Sequence, residues 1–243
     1  MLIPIRVDVP MWRTPWANYL LVALIVLVSI LGFNDPEFFS RLVGIKVVKG
    51  VKEVEELGIV VPDTRITLTT ENFPRPVLAI TSAFLHVGWG HLIGNMLFLW
   101  VFGNAVNYKF RSLGFIGLYL ASALMGGMVH YVFDGGPVVG ASGAVNGAMG
   151  AFLVFFPRND VKMLYLVGWW WGTWRLSRGW IILLWVAWDV LLLTTGMGAG
   201  IAMWSHVGGF ATGFGIASIC ALAGWVRPTQ DEQTLFQVLA RAR

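Results

Sequence analysis

An all-α integral membrane protein is the fold class this chain predicts, on three observations. Of its 243 residues, 57% are hydrophobic and only 12% are charged, with a mean hydropathy of +0.71, too apolar for an ordinary water-soluble globule. Several apolar runs approach the roughly 20 residues that a helix needs to cross the hydrocarbon. These runs are continuous, whereas a closed barrel would show short alternating strands, so helices must satisfy the backbone hydrogen bonds.

Six helices are predicted in order, at residues 16–33, 91–107, 114–133, 142–157, 180–196 and 203–224. The first run, "WANYLLVALIVLVSILGF" (Trp16–Phe33), has no small-residue cleavage site ahead of a soluble domain and further spans follow it, so it reads as a retained span. Charge sets the orientation. With the N-terminus cytoplasmic, eleven of the seventeen basic residues fall in inside segments and none in the short outside loops. The other six share the long first loop, 34–80, with seven acidic residues, and long loops count little for orientation. The expected organisation is therefore a cytoplasmic segment 1–15, a membrane domain 16–225 with an extracytoplasmic first loop, and a cytoplasmic tail 226–243. Small size and the lack of a targeting segment point to a bacterial inner, or plasma, membrane, with an organellar membrane as the alternative.

Two stretches read as surface features rather than sites. "LVGIKVVKGVKEVEELGIVV" (Leu42–Val61) mixes apolar and charged residues as an interfacial segment does, and "LVGWWWGTW" (Leu166–Trp174) reads as an aromatic belt at the membrane surface. No repeat or linker divides the chain. The single cysteine, Cys220, sits in an apolar run and excludes an intramolecular disulfide. The net charge of +4 is dispersed around the spans with no basic stripe, which argues against nucleic acid. "GMGAG" (Gly196–Gly200) falls short of a dinucleotide fingerprint and no phosphate loop with a lysine is present, so no cofactor is expected.

Polar residues inside the spans carry the chemistry. Even-numbered spans all begin on one side of the membrane, so Ser142 at the start of the fourth, His91 and Asn95 in the second and His206 in the sixth share one depth, within about 5 Å by helical rise. The fourth span is short, about 24 Å, so a helix that reaches the inner surface leaves Ser142 below the outer one. His91 and Asn95, four apart, lie about 40° apart on a helix and present donors on one face, whereas His86 and His91, five apart, diverge by about 140°. His86 is thus expected to fix the first loop by a hydrogen bond. A metal site on that pair is not expected, because zinc-binding helices space histidines four apart and add a third ligand. Gly143 with Gly147, and Gly209 with Gly213, form small-xxx-small patterns that let the fourth and sixth helices approach closely.

"HVGWGHLIGN" (His86–Asn95), "GASG" (Gly140–Gly143) and "HVGGFATG" (His206–Gly213), in that order on spans two, four and six, resemble the rhomboid intramembrane serine proteases over roughly Phe84 to Trp225. The resemblance implies a six-helix bundle with a Ser-His dyad, in which Ser142 is the nucleophile and His206 the general base and then acid. It assigns Asn95, His91 and the Ser142 backbone N–H to the oxyanion. Its implied substrates are transmembrane proteins cut in or beside a membrane span, reached through the lipid bilayer.

Two departures stand out. Asn146 occupies the place, four residues past Ser142, where many rhomboids carry an aromatic beneath the histidine ring. Asp189 is the one acidic residue inside a span, and the order Ser142, Asp189, His206 mimics a triad, although the family works as a dyad; a structural or water-lining role is the alternative. Two other functions are weighed. A proteolytically silent relative that binds or escorts membrane proteins would typically lack the dyad, and a transporter would need polar groups reaching both faces.

Overall fold

The computed structural model describes residues 2–44, 46–48, 65–67, 75–167, 169–176, 180–195, 201–229 and 232–241. Strand β1 (Leu2–Val7) precedes α1 (Trp16–Asn34), a 19-residue apolar run with no interior charge. Asp35 then starts a short helix, α2 (Pro36–Val43), its carboxylate accepting from the N–H groups of Glu37 and Phe38 at 3.0 Å each, a side-chain cap of the first turn. Gly44 ends that helix in the left-handed region (φ 77°), where glycine carries no Cβ strain. Strands β2 (Lys46–Val48) and β3 (Arg65–Thr67) pair antiparallel; the rest of the interfacial segment expected beyond Gly44 lies outside the described residues, as do Gly196–Gly200. Then come α3 (Arg75–Thr81), a 3-10 turn (Ser82–Phe84), α4 (Trp89–Phe98), a π turn (Leu99–Gly103) and α5 (Asn104–Asp134).

The second and third expected spans are one stretch, Trp89–Asp134, broken only at Arg111 (φ 61°, ψ 175°). Its 46 residues would run about 69 Å if straight, more than twice the roughly 30 Å of hydrocarbon. Two crossings therefore need the chain to turn back at that residue, in place of the expected connection of several residues. The π turn frees a carbonyl, and Asn18 of α1 takes it: its Nδ2 donates to Leu99 O at 3.0 Å and to Asn104 Oδ1 at 2.7 Å, while its backbone N–H reaches Asn107 Oδ1 at 3.1 Å. All three asparagines are buried. In an apolar interior such groups are expensive unless paired, so this cluster fixes α1 against the α4–α5 junction.

The centre of the bundle is α6 (Ser142–Phe155), every residue of which is buried except Ser142 and Asn146, four apart on one face. After it, β4 (Val161–Val167) pairs with β1 on one side and β5 (Trp170–Leu176) on the other, both antiparallel. Val7, Val161 and Met163 of this sheet are buried in the main core, while Trp169, Trp170 and Trp171 at the hairpin tip are exposed. The sheet is an addition to the helical membrane fold that the aromatic-belt reading did not anticipate. Two helices follow, α7 (Trp180–Thr195) and α8 (Met203–Leu222), and last a short α9 (Leu235–Arg241). The six apolar segments read from the sequence thus each fall on helix, within a few residues of their expected ends.

Backbone contact holds α6 to α8. A Cβ added at Gly209 would lie 1.9 Å from the Gly143 oxygen, and one at Gly213 would lie 1.9 Å from the Gly147 oxygen. Both pairs advance together along the chain, so the two helices run parallel. On the third side, a Cβ at Gly126 of α5 would lie 2.8 Å from the Ser205 oxygen. At the end where α6 stops, Lys109 and Glu232 form an ion pair whose side chains are 4% and 6% exposed, and Lys109 also lies over the rings of Phe155 and Phe156.

Two outcomes are expected. Gly209→Val should lower the Tm in detergent far more than Gly215→Val, because nothing lies within 4 Å of a Cβ at Gly215. Glu232→Ala, which strands the Lys109 ammonium in an apolar setting, should destabilise the fold by about 3 kcal/mol, and adding Lys109→Met should restore much of that loss in chemical unfolding.

Candidate active site

Gly140 sets up the start of α6. It takes φ 121°, and a Cβ there would meet the His91 ring at 2.6 Å, so glycine is required twice over, for conformation and for space. The chain before Ser142 is anchored from two directions. Gly140 N–H donates to Ser82 O at 3.1 Å, and Ala141 N–H donates to His86 Nε2 at 3.4 Å. His86 Nδ1 lies 2.9 Å from Ser29 Oγ, which in turn reaches Phe84 O at 3.2 Å. Because Nε2 accepts, the proton sits on Nδ1 and the ring is neutral. Burial, followed by the neighbouring His91, pushes the His86 pKa down to about 3, consistent with that tautomer.

His86 therefore links α1 to the residue preceding Ser142, a longer reach than holding the first loop. The helical-wheel separation of His86 from His91 does not apply, because α4 begins only after Gly88 and His86 is outside it. Their rings meet edge to face with centroids 5.0 Å apart.

Two groups of the site use donors close to home. Asn95 is buried and its Nδ2 donates to His91 O at 3.0 Å; an amide nitrogen has a second N–H, so one donor is left over. Asn146 Nδ2 donates to Ser142 O at 3.0 Å, within its own helix. His91 stands against Gly140 and within electrostatic range of His206.

His206 is in the first turn of α8, three residues before Gly209, and Ser142 is one residue before Gly143. The Gly143–Gly209 contact therefore places both at the same end of two parallel, touching helices. Among the described residues no hydrogen bond joins the Ser142 hydroxyl to His206. The His206 ring bonds elsewhere: its Nδ1 lies 2.9 Å from Asp189 Oδ2 of α7, with side chains 14% and 19% exposed. Sequence order hinted at this pairing, but the facing of α7 was not readable from it. Ser29 was missed altogether, as was the α5 contribution of Gly126, for which the pair "GG" at Gly126–Gly127 was the available signal.

What this arrangement can do chemically is specific. A hydroxyl that opens a helix is beside unpaired N–H groups and the positive end of the helix dipole. An imidazole with one nitrogen held by a carboxylate keeps its other nitrogen for proton exchange.

A family model described as "Rhomboid domain" matches residues 75–223. "Rhomboid protease GluP" of Bacillus subtilis is 38% identical over 89 residues, 37% of this chain and 18% of that protein. "Rhomboid protease GlpG" of Klebsiella pneumoniae is 32% identical over 142 residues, 58% of this chain and 48% of its own length. "Rhomboid protein 1, mitochondrial" of Saccharomyces cerevisiae is 35% identical over 91 residues, covering 35% of this chain and 26% of that one. The chain thus spans less than half the length of each of these relatives. With a match that takes in α3 to α8, including every helix start that frames Ser142 and His206, the chain is a member of the rhomboid family of integral membrane proteins.

Proposed function

We propose that this protein is an intramembrane serine endopeptidase that hydrolyses peptide bonds in or beside transmembrane segments of other membrane proteins. The observation that carries the reading is the parallel backbone contact of α6 and α8, which puts Ser142 and His206 at one end of touching helices. Relatives named as proteases in Bacillus and Klebsiella support it.

In this mechanism His206 takes the Ser142 proton as Oγ attacks the substrate carbonyl. The resulting oxyanion is met by the Ser142 backbone N–H, His91 and the remaining Asn95 donor. His206 then gives its proton to the leaving amine, and the acyl-enzyme forms. Water, deprotonated by the same imidazole, attacks the ester, releases the acid and regenerates Ser142. The 14 residues of α6 rise about 21 Å, short of the roughly 30 Å of hydrocarbon. With its far end at one surface, Ser142 is sunk below the other, and a water-filled hollow must serve it. A helical substrate hides its carbonyls in hydrogen bonds, so the scissile segment unwinds first, and helix-breaking residues near the cut favour it.

The distribution of basic residues supports cytoplasmic termini and a site that opens to the outer face. A bacterial inner membrane is the proposed location. His86, Gly143, Gly147, Gly209 and Gly213 are the supporting frame of the site.

Purified protein in proteoliposomes with a fluorescently labelled single-span substrate tests the reading. Wild type should cut, and Ser142→Ala and His206→Ala should not. Fluorophosphonate labelling should follow Ser142. Asn95→Ala should lower kcat by about 10²-fold without abolishing it, the usual loss for one oxyanion donor. Substrate that co-purifies with wild type yet stays uncut would favour the binding or escort role instead.

A further inference from the structure

We infer that Asp189 is a positioning residue for the His206 base, so that this site works with a carboxylate, an imidazole and a hydroxyl in sequence. The inference rests on the endopeptidase reading and deepens it.

The geometry is direct. Asp189 Oδ2 stands 2.9 Å from His206 Nδ1, the normal length of an N–H···O bond. An ionised carboxylate can only accept, so the shared hydrogen belongs to Nδ1, and the lone pair of the neutral ring is on Nε2. Nε2 is then the atom that can take the Ser142 proton. The carboxylate selects the tautomer that the base step needs, and it fixes the plane of the ring at the same time.

The setting argues against a bystander role. The described side chains that flank Asp189 along α7, Trp188, Val190 and Leu191, are exposed on the outside of the bundle. Asp189 alone among them turns inward, to 19% exposure. An ionisable group in a membrane span is costly wherever it points, and this one meets His206 rather than a lysine or arginine. Histidines are the other titratable groups near the ring: His91 on α4 and His130 on α5 are both within electrostatic range of it, and His130 itself stands 3.3 Å from Asp134. Among the described residues, Asp189 is the side chain hydrogen-bonded to the ring. Asn146, in the position where the resemblance puts an aromatic, is bonded to its own helix.

The chemistry follows. As Ser142 Oγ attacks, its proton moves to Nε2 and the ring becomes an imidazolium in an apolar setting. Asp189 faces that new charge at hydrogen-bond distance and stays ionised throughout; no proton passes to it. When Nε2 protonates the leaving amine, the ring returns to the neutral Nδ1–H form, still held for the water step.

Two measurements decide the matter, one by activity and one without it. In proteoliposomes, Asp189→Asn should lower kcat by about 10- to 100-fold with KM changed less than twofold, a smaller loss than for a fully buried carboxylate because Asp189 is partly solvated. An asparagine can swing its NH2 toward Nδ1 and favour the opposite tautomer. Asp189→Glu should recover part of the rate. Separately, 15N NMR of histidine-labelled Ser142→Ala protein, with only four histidines to assign, should show neutral His206 protonated on Nδ1 and shifted toward Nε2–H by adding Asp189→Asn. A kcat within twofold of wild type in Asp189→Asn, while Ser142→Ala is dead, overturns the inference and leaves the protease reading intact. An Nε2–H His206 in the Asp189-containing protein overturns it as well, whatever the activity. Cutting by Ser142→Ala overturns the protease reading instead, and the NMR result then decides the Asp189–His206 bond by itself.

Discussion

Two helices whose backbones touch govern the rest of the structure. At Gly143 against Gly209 and Gly147 against Gly213 there is no room for a Cβ, so α6 and α8 approach as closely as main chains can. In lipid, helix association gains little from hydrophobicity, because the surroundings are equally apolar; close packing of small residues supplies the contact instead. Everything polar at the site depends on that approach. Ser142 and His206 sit just beyond its last pair, and α5 seals the third side through Gly126.

A second regularity is that three sets of polar groups, built on Asn18, His86 and His206, each tie one segment to another. Asn18 reaches the π turn and the start of α5. His86 joins Ser29 on one side to Ala141 on the other. Asp189 joins His206. In a low-dielectric interior an unpaired group is heavily penalised, so each pair also enforces one arrangement of its helices over others. The Asp189–His206 bond thus also docks α7 onto α8.

Much of this was legible in the chain itself. Uninterrupted apolar runs gave away the helices because length and hydropathy are properties of single segments. The glycine spacing predicted which helices touch, and alternation of direction alone predicted that Ser142 and His206 share an end. What escaped reading depended on facing or on distant partners. In α7 nearly every residue is apolar, so no periodicity marks the side that Asp189 takes. The Ser29 hydroxyl is 57 residues from His86, and nothing local to either announces the other. The turn at Arg111 uses one non-glycine residue at φ 61° and ψ 175°, an extended positive-φ conformation where turn chemistry would look for glycine. In β4, Val161 and Met163 alternate with Lys162, a strand signal that the neighbouring tryptophans masked.

The end of the bundle away from Ser142 is laced together. Strand β1 pairs with β4, Asn159 bonds Asp8 O, and Lys109 and Arg158 grip Glu232 and Gln233, so both ends of the chain are stitched to the foot of α6. Such a foot behaves as a clamp. Parting the helices at this foot would break the β1–β4 pairing and the Lys109–Glu232 ion pair together.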